Sequence, residues 1–167
     1  MTNIQFYFEK LYDSMEFEKF KKENPDAILV GGFFVIDKIE KNPDNKQHFD
    51  YFIPSIKKMF SFEIEKGVQL VPIENFGEKI PEAIKDNYDF DFDEVEELIV
   101  KEMEVQKIDK KLQKILLSLQ HLENKDYLIG TVFISGMGMI KVQIELEEMK
   151  IIEFEKKSFF DLLKRMK

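Results

Sequence analysis

The sequence contains no cysteine. That excludes disulfides, thiol nucleophiles and thiolate metal centres together, and it fits a reducing compartment. Tryptophan is absent and histidine occurs only twice, at His48 and His121. Neither histidine sits in an HxH or HxxxH pair, so a metal site would have to recruit distant carboxylates. No metal and no cofactor are expected. No apolar run reaches the roughly eighteen residues of a membrane-spanning helix. The opening residues, Met1-Thr2-Asn3-Ile4-Gln5-Phe6-Tyr7, lack the basic segment and apolar stretch of a secretory signal. A cytoplasmic chain without a membrane span is expected.

Basic residues are in deficit, 25 Lys and Arg against 33 Asp and Glu, for a net charge of −8. Phosphate neutralisation needs a basic surface, which argues against nucleic acid as a partner. Lys107, Lys110, Lys111 and Lys114 do cluster, but acids stand alongside them and the group reads as a solvated face. Glycine is also sparse, at seven residues, and no loop has phosphate-binding form. Gly136-Met137-Gly138 lies between two strand patterns, whereas a dinucleotide loop must open a helix. No serine lies in a Gly-x-Ser-x-Gly elbow.

What is abundant is phenylalanine, 17 residues in a chain of 167 that is 44% hydrophobic. This length predicts one domain, residues 1–167, burying about two thirds of its unfolded surface. The Phe surplus, with Phe33, Phe34, Phe49, Phe52, Phe60, Phe62, Phe90 and Phe92 prominent, implies either a thick core or an apolar pocket.

The most conspicuous stretch runs from Asp93 to Leu122 without Gly or Pro. Leu98, Val105, Leu112 and Leu119 recur at one heptad position, and Ile108, Ile115 and Leu122 follow at the partner position. The spacing predicts one helix of about thirty residues, roughly 45 Å long. The face carrying Leu98, Val105, Leu112 and Leu119 would either pack on a sheet in the protein's own core or serve as an interaction face for self-association. Asp91 or Asp93 caps its start, with Glu94, Glu96 and Glu97 complementing the dipole.

Around it, Ile4, Phe8, Leu11 and Met15 predict an amphipathic helix over residues 4–23. Strand patterns follow at 27–37, 48–53, 59–65 and, at an edge interrupted by Pro72, 68–73. Residues 74–92 read as a linker. Past the long helix, strands are expected at 127–135, 140–146 and 150–155, then a short helix from Phe159 to Met166 capped by Ser158. Glu23-Asn24-Pro25-Asp26 aligns with Glu123-Asn124-Lys125-Asp126 at an offset of 100, and Phe33 falls on Phe133. The expected fold is α+β. It has an antiparallel sheet of about six strands with helices on one face, from two α-β-β-β units (about 4–73 and 93–156) plus the C-terminal helix.

Asp89-Phe90-Asp91-Phe92-Asp93 opens like a calcium loop, but Glu94 and Val100 occupy the positions that require Gly and Glu. Tyr88, Asp89, Phe90, Asp91, Phe92 and Asp93 therefore read either as helix capping or as an acidic-aromatic docking segment. With no catalytic residue singled out, the sequence points to a non-enzymatic protein-interaction or adaptor module, chaperone-like and dimeric. The alternative is a carrier of a hydrophobic molecule held between helix and sheet.

Overall fold

The computed structural model describes residues 2–74 and 80–158. Its elements are α1 (Ile4–Tyr12), α2 (Met15–Glu23), β1 (Ile28–Asp37), β2 (Lys46–Ile53), β3 (Lys58–Glu63), β4 (Gln69–Ile73), α3 (Phe92–Val105), β5 (Leu112–Leu122), β6 (Lys125–Ile134), β7 (Gly138–Glu145) and β8 (Lys150–Ser158). The strands form one eight-stranded sheet in the order β4-β3-β2-β1-β5-β6-β7-β8, antiparallel throughout. Among the described residues, no helix is long and apolar enough to cross a membrane. The expected C-terminal helix lies outside the described residues.

The architecture corrects the expectation of six strands. The thirty-residue helix does not exist. α3 ends at Val105, with the Gln106 N–H donating to the Glu102 carbonyl and the Lys107 N–H to that of Glu104, and Lys107 takes a left-handed φ of 57° that redirects the chain. From Leu112 the same leucine-rich run is a strand, with Ile115, Leu117 and Leu119 fully buried on alternate positions. β5 is a central strand, paired with β1 from Gly32↔Leu119 to Asp37↔Lys114 and with β6 on its other side. Without it β1 would keep an open edge of unpaired backbone groups in the middle of the molecule, and pairing overrides the helical propensity of leucine.

The two-unit description fails with it. The offset of 100 aligns β1 with β6 and the α2–β1 junction with the β5–β6 hairpin, places that differ in the fold. The N-terminal helix is also two helices. Ser14 breaks it, its hydroxyl accepting from the Phe17 N–H at 3.1 Å to cap α2.

One side of the sheet carries the core. Phe8 of α1 stacks on Phe49 at 4.3 Å, Phe20 of α2 meets Phe62 edge-on at 5.0 Å, and Phe92 of α3 meets Phe34 at 4.8 Å. Phe8, Phe34, Phe49, Phe62 and Phe92 are each at most 1% exposed. Much of the Phe surplus is thus ring-on-ring packing, each pair worth about 1 kcal/mol beyond its buried area. Side chains of the alternate set, among them Phe33, Val35, His48, Asp50, Leu116, Ile129, Thr131 and Phe133, point to the opposite or outer face and lie outside the core cluster.

Candidate functional site

The outer face has a readable grid because strand alternation and register fix who stands beside whom. One row crosses the whole sheet: Gln69, Glu63, His48, Phe33, Ser118, Ile129, Gln143, Glu153. The next runs Lys46, Val35, Leu116, Thr131, Lys141, Glu155. The centre is apolar, with Phe33, Leu116, Ile129 and Phe133 half-buried. The flanks are charged: Lys141 pairs with Glu153 at 3.6 Å and Lys157 with Glu155 at 4.0 Å on the β7–β8 side.

On the β2–β3 flank the charges converge. Glu63 stands directly across from His48, and Glu65, two residues on, places Oε1 2.9 Å from His48 Nε2. One ligand atom from each of His48, Glu63 and Glu65 lies within 4.8 Å of the other two. His48 and Glu65 are 15% and 16% exposed, and Glu65 Oε2 is buried without a hydrogen-bond partner. Burial alone would raise the pKa of Glu65, but the hydrogen bond to His48 and bonds to backbone outweigh it and hold the carboxyl below its ordinary value. The His48 ring also lies 5.9 Å from that of Phe33, joining this cluster to the apolar centre.

Beside it, burial raises the pKa of Asp50, opposed by its hydrogen bond with Ser61 and by His48. Asp50 borders a groove of about 460 Å³ lined also by Val30, Gly31, Met59, Pro81, Ser118 and Gln120. Gly31 leaves that space open: a Cβ there would sit 3.3 Å from the Leu119 carbonyl oxygen and 3.8 Å from Asp50 Oδ2.

The structure does not bring the sequence-derived face together. Leu98 and Val105 belong to α3, half-buried and 73% exposed respectively, while Leu112 and the fully buried Leu119 belong to β5. In the acidic-aromatic segment the two halves separate. Tyr88, Phe90 and Phe92 are buried at 8%, 3% and 1% exposure. Asp91 caps α3 by accepting from the Asp93 N–H at 3.0 Å, and Asp89 accepts from Asn3 Nδ2 at 3.1 Å. The Ile4 N–H donates to the Phe90 carbonyl at 3.0 Å, tying the segment to the N-terminus. His121 bonds Asp126 at 2.8 Å across the β5–β6 hairpin.

Sequence reasoning missed the His48–Glu63–Glu65 cluster. The usable signal was Glu63-x-Glu65, two carboxylates on one face of a strand, facing a neighbouring strand that opens with His48.

The sequence matches no family model and no curated relative. In structure the chain is similar to a putative lipoprotein from Clostridium difficile 630, with a TM-score of 0.57 and 12% identity over 85% of this chain and 90% of the other. At that identity the likeness shows a shared fold alone.

Proposed function

We propose that this protein is a non-enzymatic protein-interaction module that works as a dimer, two copies stacking through their outer sheet faces. One observation carries this: Phe33, Leu116, Ile129 and Phe133, on the three adjacent strands β1, β5 and β6, are half-buried apolar residues outside the core cluster, with charged flanks on either side. An apolar centre with a polar rim is the anatomy of a protein interface. Eight strands at about 4.8 Å span roughly 34 Å, and two such faces packed about 10 Å apart supply the roughly 800 Å² per partner of a standard interface. A two-fold axis along the strands sets the Glu63 and Glu65 flank of one copy against the Lys141 and Lys157 flank of the other, an isologous and charge-complementary contact.

Light scattering on the purified chain tests it. The expected result is a dimer for the wild type and a folded monomer for Leu116→Lys. A monomeric wild type, or a Leu116→Lys variant that still dimerises, sinks the proposal. A monomer that retains a co-purified apolar molecule in native mass spectrometry returns the carrier in its place. The cytoplasmic assignment is proposed alongside; finding the native protein in the membrane or extracellular fraction would overturn it.

A further inference from the structure

We propose that His48, Glu63 and Glu65 form a binding site for a zinc-class divalent cation on the outer face of the sheet. The three side chains come from the paired strands β2 and β3 and the residue pair just beyond, so backbone pairing holds their spacing before any ion arrives. One imidazole nitrogen and two carboxylates suit a borderline cation such as Zn²⁺ better than Mg²⁺ or Ca²⁺, which prefer oxygen alone. Zinc–nitrogen and zinc–oxygen bonds of about 2.0–2.1 Å put neighbouring ligands roughly 3.3 Å apart. His48 Nε2 and Glu65 Oε1 stand at 2.9 Å, and the full set lies within 4.8 Å. Inserting the ion therefore needs side-chain shifts of an ångström or so, with the strands unmoved.

A second observation points the same way. Glu65 Oε2 is buried with no hydrogen-bond partner. A carboxyl oxygen withheld from water without a partner is costly, and a cation is the partner that removes the cost. Three protein ligands leave the fourth tetrahedral position to water or to a group from a docked partner.

The test uses the full chain stripped with a chelator and then titrated with Zn²⁺ alone, followed by calorimetry and by thermal unfolding. One equivalent should bind and raise the Tm. Glu63→Gln leaves the His48–Glu65 pair intact, so it keeps the fold, and it should weaken zinc by about tenfold or more. His48→Gln should abolish the Tm rise. Absence of zinc binding by the wild type overturns the site. So does binding that survives both substitutions, or an equal Tm rise with Ca²⁺, which would leave the imidazole without a role.

Discussion

Gly130 faces the Leu116 peptide across the β5–β6 pair with no room for a side chain. A Cβ there would overlap the Leu116 carbonyl oxygen and lie 3.1 Å from the Leu117 Cα. The obstacle is backbone in the centre of the sheet, which cannot rotate away as a side-chain tip can.

Gly130→Ala should therefore destabilise the fold by about 3 kcal/mol, lowering the Tm by roughly 6–12 °C for a domain of this size. Gly67→Ala is the control: its Cβ would meet nothing within 4 Å, leaving only the strain of a φ of 77°. Thermal unfolding followed by circular dichroism measures both. Equal losses would show that space at Gly130 is not the issue.

Asp37 ends β1 and fastens the connection to β2. Its carboxylate accepts from the Asp44 N–H at 2.8 Å and the Ile39 N–H at 3.1 Å. The Asp44 bond is the main reason its pKa lies below the ordinary aspartate value, against the opposing effect of burial. A folded-state pKa below the unfolded one contributes stability that is full above the unfolded value and disappears as pH falls through the folded one. Asp37→Asn should thus cost roughly 2 kcal/mol at neutral pH, and the gap to wild type should close in acid. A gap independent of pH between neutral and strongly acidic conditions would contradict the assignment.

Two substitutions separate the observed α3–β5 break from one long helix. Leu119 is fully buried in β5, whereas Val105 is 73% exposed at the end of α3. Leu119→Asp should prevent folding, since an unpaired charge in that position has no compensation. Val105→Asp should change stability by no more than about 0.5 kcal/mol. A continuous helix seam would make both severe. Chemical denaturation distinguishes the cases.

The strand at 27–37, the alternating strand at 140–146 and the Pro72 edge were all legible, because β-branched runs and clean alternation have one interpretation. β5 was not. Leu112, Ile115, Leu116, Leu119 and Leu122 satisfy helical spacing as well as Ile115, Leu117 and Leu119 satisfy alternation, and Gln106-Lys107-Ile108-Asp109 offers neither Gly nor Pro to mark the stop. The tie is broken by β1, which needs a neighbour 87 residues away (Gly32 to Leu119), information no local window holds. The candidate site was hidden for the same reason. His48 stands beside Glu65 only because β2 and β3 pair in one register; slipped by one residue, the strand would send its carboxylates into the core.

Six of the seven strand pairings join neighbours in sequence, and β1–β5 is the exception. This has a kinetic consequence. Hairpins close in microseconds, whereas the central seam must gather two preassembled ribbons across a long loop and pay its entropy before any contact repays it. Until that step, β1 and β5 are sticky edges on separate ribbons, and at high concentration each can close on the complementary ribbon of another molecule. Refolding yield should fall steeply with protein concentration, and the product lost should be intertwined pairs that have exchanged halves.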